Sequence, residues 1–318
     1  MFRGGLAGVP GLLVLTCLTA CNPGAEEARG LRASCNEGDA GACTALAEMA
    51  FLGEHVLQDW PGAAGLFEDG CMGGDPRGCV QLASMHVHER AEANFIEPDS
   101  ARAADFFRRG CDGGAMGGCT RLGDMYLDDD SIVEGVEPQG VLQDVALAAA
   151  LFEQACAGAH MPGCTRLGTL FQRGVGVQHD VAMAAELFQT ACDGEDAPGC
   201  THLGESFENG AGVEQDFGRA ASLYEDACRV EMLACVRLGD LHTRGDGVEQ
   251  DYEQAVDLFD KACYAITDDV DRPPPSAEGC FRAGDLYANG TGVSRDLSRA
   301  SRFFRRACGL GYDEACRR

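Results

Sequence analysis

The chain has 318 residues and carries 51 acidic against 25 basic side chains, a net charge of −26, with Lys261 its only lysine. Nucleic-acid backbones and anionic membrane surfaces are held by clustered Lys and Arg, so this balance excludes both as electrostatic partners. The length suits one or two ordinary domains or a single solenoid.

Residues 1–20 read as an export signal. Arg3 gives a short positive start, and Gly11 to Cys17 supplies an apolar core too short to span a bilayer. The segment ends Leu18-Thr19-Ala20-Cys21, which resembles the bacterial lipobox, so Cys21 is the expected lipidation site and mature N-terminus. Asn22 is not the aspartate that retains many lipoproteins in the inner membrane, so the resemblance implies an outer-membrane lipoprotein facing periplasm or surface. A plain secretory signal, giving a secreted protein, is the alternative. Residues 21–30 read as an N-terminal linker and 31–318 as one repeat array.

Eighteen cysteines are present; Cys17 leaves with the signal and Cys21 takes the lipid. The other sixteen fall into eight couples: Cys35/Cys43, Cys71/Cys79, Cys111/Cys119, Cys156/Cys164, Cys192/Cys200, Cys228/Cys235, Cys263/Cys280 and Cys308/Cys316. An even number in an exported chain reads as disulfides. Zinc sites favour a closer C-x2-4-C spacing with histidines nearby, and that spacing is absent. Sequence does not fix the connectivity, but pairing within each couple is the simplest choice for a repeat.

The couples recur with a unit of 36 residues between Cys156 and Cys192, a period typical of stacked repeats. After the second cysteine of each couple comes a helix, here called A. Three, four and seven places on lie residues such as Leu167, Gly168 and Phe171, one face of a helix. The recurrent mid-helix glycine costs about 1 kcal/mol against alanine, so it needs a packing reason. Helix A stops at Gly-x-Gly-Val-x-x-Asp in four repeats, from Gly174, Gly210, Gly245 and Gly290. The first glycine fits a left-handed helix end. The aspartate, kept in seven repeats as Asp59, Asp99, Asp144, Asp180, Asp216, Asp251 and Asp296, is placed to cap the next helix, B. Phosphate binding at this loop is rejected, because no strand precedes it and an acid opens the helix. Helix B carries alanine eight places and an aromatic four places before the next cysteine, as in Ala184 and Phe188, a core stripe. The mature chain therefore reads as seven A–B hairpins preceded by a B-like segment near residues 25–37. Two insertions interrupt it, one at residues 128–141 and one after Cys263, where surface loops lengthen cheaply.

The pattern A-x-L-F-x-x-A-C-x-x-G-x-x-x-G-C-x-x-L-G, with G-x-G-V-x-x-D between helices, resembles the Sel-one-like repeat, a relative of the tetratricopeptide repeat. With paired cysteines throughout, it is most similar to the Helicobacter cysteine-rich protein family. The resemblance implies an all-α, right-handed α-solenoid of about seven disulfide-stapled repeats whose concave face binds a protein or peptide. It also carries a label of penicillin binding with weak β-lactamase activity.

The residues offer that chemistry little. Serine β-lactamases need Ser-x-x-Lys, and Leu258 stands three places before Lys261. His86 and His88 do not share a helix face, and His86 and His242 occupy positions held elsewhere by Tyr or Phe, so a packed aromatic substitute is the simpler account than a metal ligand. Asp128 to Asp130 lacks the glycine and spacing of a calcium loop. No catalytic residue, metal or cofactor is expected. One row is a candidate binding surface: two places after the second cysteine stand Arg121, Arg166, His202, Arg237 and Arg282, off the core stripe, where stacking makes a ladder for a carboxylate-bearing partner. The competing account is local ion pairing at i,i+3: Arg121/Asp124, Arg237/Asp240 and Arg282/Asp285. The expectation is a monomeric, non-catalytic scaffold for a protein or peptide, attached to membrane through lipid only. The alternatives are a penicillin-binding β-lactam hydrolase, by the family label, and a secreted effector binding a host or competitor protein.

Overall fold

The computed structural model describes residues 23–87, 99–127, 143–264 and 274–318, which hold fifteen α-helices and no strand. The signal segment, Cys21, His88, the acidic run and most of the two insertions lie outside the described residues. The chain divides into two compact units that meet in sequence at Gly118 and Cys119.

The first unit holds α1 (Pro23–Asn36), α2 (Ala40–Leu52), α3 (Trp60–Met72), α4 (Pro76–Val87) and α5 (Ser100–Asp112), each packed on the next. Helix α1 runs through most of the stretch expected to be a linker. Pro23 fits a first helical turn, Ala28 is buried, and Gly24 lies against His55 of the loop beyond α2. The second unit holds most of α6 (Met116–Leu127), then α7 (Val145–Ala157), α8 (Met161–Arg173), α9 (Val181–Asp193), α10 (Ala197–Asn209), α11 (Phe217–Ala227), α12 (Met232–Arg244), α13 (Tyr252–Cys263), α14 (Ala277–Asn289) and α15 (Leu297–Gly309). Here α8 also touches α10 and α12 touches α14, so alternate helices stack side by side as a solenoid requires. Ala315–Arg317 makes one 3-10 turn where an eighth helix A would start.

Each hairpin is built by the same local chemistry. All seven cap aspartates accept a backbone N–H from the first turn of helix B; Asp216 takes that of Arg219 at 3.0 Å. Each also gives its own N–H to the carbonyl seven places past the cysteine, as Asp180 does to Phe171 at 3.0 Å and Asp251 to His242 at 3.0 Å, which closes the loop. The first glycines of the loops, Gly174, Gly210, Gly245 and Gly290, all have φ between 66° and 77°. The mid-helix glycines have the packing reason the sequence demanded. A Cβ on Gly123, Gly168, Gly204, Gly239 or Gly284 would come within 2.7 Å of the ring four places before the following cysteine: Phe152, Phe188, Tyr224, Phe259 or Phe304. Those rings are 0–7% exposed, and the alanines at Ala63, Ala103, Ala148, Ala184, Ala220, Ala255 and Ala300 are 0–2% exposed.

The cysteines pair within their couples. Bridges join Cys35 to Cys43, Cys71 to Cys79, Cys156 to Cys164, Cys192 to Cys200, Cys228 to Cys235, Cys263 to Cys280 and Cys308 to Cys316, with Cα atoms 4.5–4.8 Å apart. Cys111 and Cys119 are disulfide-bonded as well. Cys263 and Cys280, though separated by 17 positions, have Cα atoms 4.6 Å apart, as in the other couples. Each bridge ties the end of a helix B to the next helix A.

Most of these half-cystines are interior. Cys43, Cys79, Cys164 and Cys235 are 0–3% exposed and Cys200 is 8% exposed; Cys71, Cys111, Cys119, Cys228, Cys263 and Cys280 are buried too. The second cysteine of a couple sits in the first turn of helix A, three places before the core leucine and so on the same inward face. These half-cystines are interior staples, not a functional surface. Cys35, Cys156, Cys192 and Cys308 are half-buried, and Cys316 is exposed.

Candidate functional site

The row singled out in sequence lies on the A helices of the second unit, and the structure joins its members to the preceding hairpin. Nε of Arg166 lies 3.0 Å from Asp124, and Nε of Arg237 lies 3.0 Å from Glu205. Nη2 of Arg282 lies 3.5 Å from Asp240 and 3.0 Å from Glu278. The i,i+3 pairs Arg237/Asp240 and Arg282/Asp285 do not form. The next A helix brings its arginine, two places past the cysteine, onto the carboxylate five places past the previous one. Stacked helices set these side chains opposite each other, whereas three residues along one helix leave Arg237 and Asp240 reaching opposite ways to different neighbours. His202 does take its i,i+3 partner, Glu205, at 3.2 Å; the preceding hairpin has Thr169 where Asp124, Glu205, Asp240 and Asp285 stand elsewhere in the second unit. Arg121 stands close enough to Asp124 to favour its charged form.

The ladder has a further rung. Arg318, also two places past a cysteine, reaches Asp285 at 3.6 Å. Its offset from Cys316 is the signal in the sequence that would have found it.

The carboxylates are the buried partners: Asp124 is 8% and Asp240 14% exposed, while Arg166 and Arg282 are 37% and 45% exposed. Burial raises the pKa of Asp124 and of Asp240, and the neighbouring guanidiniums only partly offset it. Burial acts the same way on Glu205, but hydrogen bonds from His202 and Arg237 outweigh it and hold that carboxyl below its ordinary range. A guanidinium has five N–H donors, so the Nε contacts of Arg166 and Arg237 leave terminal donors directed elsewhere. The row is therefore a charge-balanced strip of fixed donors rather than a run of naked cations.

A second polar cluster adjoins it and was not legible as such. Tyr224 takes the position that holds Phe in the other helices B and is fully buried. Its hydroxyl donates to Glu208 at 2.8 Å, and Arg244 of the following helix A donates to the same carboxylate at 2.6 Å. Burial and Glu208 push the Tyr224 phenol far above its usual range. Elsewhere, His86 is 5% exposed and stacks on Phe106 at 5.9 Å, the packed aromatic substitute expected of it. His160 accepts or donates a hydrogen bond to Thr120 at 3.0 Å, and Lys261 Nζ lies 3.6 Å from the Cys228 sulfur. Among the described residues no three His, Cys, Asp or Glu side chains converge as a metal site would need.

A Sel1 repeat family model matches residues 76–114, 118–160, 162–196, 197–229, 233–265 and 277–312. No curated protein matches in sequence. Among solved structures, the chain is similar to a Sel1 repeat protein from Oxalobacter formigenes, with TM-score 0.65 and 21% identity over 92% of this chain and 78% of that one. It is similar to a protective antigen of uropathogenic Escherichia coli displaying an SLR fold, with TM-score 0.64 and 23% identity over 90% of this chain. It spans 57% of that antigen's length. Helicobacter pylori cysteine-rich protein B is 26% identical over 44% of this chain and 95% of its own, with TM-score 0.32. The first two likenesses concern the fold.

Proposed function

This chain belongs to the Sel1 repeat family, and we propose that it is an exported, lipid-anchored, non-catalytic scaffold that holds a protein or peptide partner on its A helices. The observation that carries this reading is the ladder. Side chains two and five places past the cysteines are locked between hairpins of the second unit, so the donors beside them are fixed before a partner arrives. A surface ordered in advance loses less entropy on binding. Being charge-balanced, the strip suits backbone carbonyls and carboxylates of a bound segment, met by Arg121, Arg166, His202, Arg237 and Arg282.

Disulfides in this number belong to oxidising, extracytoplasmic compartments. No helix among the described residues is long and apolar enough to cross a membrane. Anchoring at Cys21, in the outer membrane, accounts for how such a chain would stay in the envelope. The test pairs two variants expressed in the native envelope. Cys21→Ser should move the protein from the membrane to the soluble fraction and abolish fatty-acid labelling. Replacing Arg121, Arg166, Arg237 and Arg282 together by Ala should abolish the cross-linked partner band of the wild type while far-UV circular dichroism stays helical. An undiminished band from a folded fourfold variant would refute the assignment of the A-helix row.

A further inference from the structure

A different surface of the second unit is acidic on balance, with three carboxylates to one arginine. A groove of about 750 Å³ runs between helices α9 and α11, floored by the A helix between them and closed at one end by the α10–α11 loop. Leu203 and Phe207 lie at its base, with Ala182, Ala185 and Val213 on its walls, so the floor is apolar and low. Glu186, Glu214 and Asp216 line its rim. Asp216 is engaged as a helix cap, and no cation of the described residues pairs with Glu186 or Glu214. Arg219 of the groove's own wall already occupies the face of the Phe207 ring at 4.0 Å, so an incoming cation would meet the rim carboxylates and not that ring. A smaller groove of the first unit is lined by α3 and α5 alone, with Arg102 over Phe106 of the same helix at 5.8 Å. There the rim acid Asp105 is neutralised by Arg109 at 3.0 Å. In the α9–α11 groove the rim carboxylates Glu186 and Glu214 stand over the buried Leu203 and Phe207 of α10.

We propose that this groove docks a basic peptide segment of a partner protein, whose arginine or lysine stems lie along the alanine walls and whose charges end at Glu186 and Glu214. The net charge of −26 attracts such a segment from a distance, and the rim fixes where it settles. The site lies apart from the A-helix row and would stand even if that row bound nothing.

The test titrates the intact chain with a fluorescein-labelled dodecapeptide of alternating arginine and alanine, and with its glutamate counterpart, by fluorescence anisotropy. The basic peptide should bind and the acidic one should not. Glu186→Gln with Glu214→Gln should weaken binding by about tenfold or more, as loss of charge-assisted contacts does. Glu153→Gln with Glu225→Gln removes the same charge from exposed helix-B positions outside the groove and should weaken it by less than about threefold. Ala182→Leu fills the groove without altering charge, at an exposed first-turn position, and should also weaken it by about tenfold. Equal weakening by the two double variants, unchanged binding in Ala182→Leu, or equal binding of the acidic peptide would each overturn the proposal. The A-helix row is intact in every variant, so these outcomes do not depend on it.

Discussion

Replacing Gly168 by Ala sets two physical terms of opposite sign against each other. Alanine is the better helix former by about 1 kcal/mol, so an unobstructed Gly→Ala in helix α8 would stabilise. The added Cβ, however, would stand 2.6 Å from Cε1 and 2.9 Å from Cδ1 of Phe188, whose ring is 0% exposed. The ring cannot swing into solvent, so ring and helix must separate, and overpacking of this kind costs about 1–3 kcal/mol, here toward the upper end. The net expectation is a loss of about 1–2 kcal/mol, which for a unit of this size lowers Tm by about 2–8 °C. Gly65→Ala is the control. It sits in helix α3 with nothing within 4 Å of its would-be Cβ, so only the propensity term acts and Tm should rise. Thermal unfolding followed by circular dichroism on the oxidised protein reads both. A rise in Tm for Gly168→Ala, the same sign as Gly65→Ala, would refute the claim that ring contact keeps glycine in the A helices.

Two other expectations follow from the polar contacts. A double-mutant cycle on Arg237→Ala and Glu205→Gln should give a coupling of about 1 kcal/mol at pH 7, since both side chains are less than a third exposed; a coupling indistinguishable from zero would make the ladder idle. Glu205 has a lowered pKa in the fold, so its contribution is complete above the ordinary carboxylate pKa and is lost as pH falls through the lowered value; the coupling should therefore fade only below the ordinary carboxylate range. Tyr224→Phe removes the hydroxyl that donates to Glu208 at 2.8 Å and should cost about 1 kcal/mol, because Arg244 still holds that carboxylate; urea unfolding that shows no loss would mean the buried hydroxyl gains nothing from its acceptor.

Within one hairpin nearly everything was legible. Leu167, Gly168, Ala184 and Phe188 announce themselves by helical spacing, and Asp180 by its place before helix B, because each acts within its own hairpin. The start of α1 is hidden because Pro23 to Gly30 lacks the repeat's stripe; its helix is held by Ala28 and by the contact of Gly24 with His55. The ladder was half legible. The sequence offered Arg237 two acids, Asp240 three places on and Glu205 in the previous repeat, and local spacing favoured the wrong one. What decides is that adjacent A helices lie side by side, a lateral fact that no single-helix periodicity contains. Yet Asp124, Glu205, Asp240 and Asp285 all stand five places past a cysteine, so comparing two offsets between repeats, rather than within one, would have paired them. The α9–α11 groove was not legible at all, since its end wall is loop backbone around Gly212 and Val213.

Three kinds of tie join successive hairpins in the second unit, and they act at different places. The disulfide links the end of helix B to the next helix A; closing a loop of about nine residues is worth roughly 2–3 kcal/mol in the chain-entropy model. One turn away, a threonine following the second cysteine reaches the residue that opens the next helix A, as Thr165 does to Asp196 at 2.6 Å and Thr120 to His160 at 3.0 Å. Farther along the A helices the ladder adds its ion pairs. A single tie would leave each hairpin free to rock about it; three that are not in line remove that freedom. The ladder uses its cations internally and so presents little net charge, while Glu186 and Glu214 over the groove remain unmatched. In a chain of net charge −26 the ladder thus sets cations against the carboxylates of neighbouring repeats, whose mutual repulsion would otherwise oppose stacking.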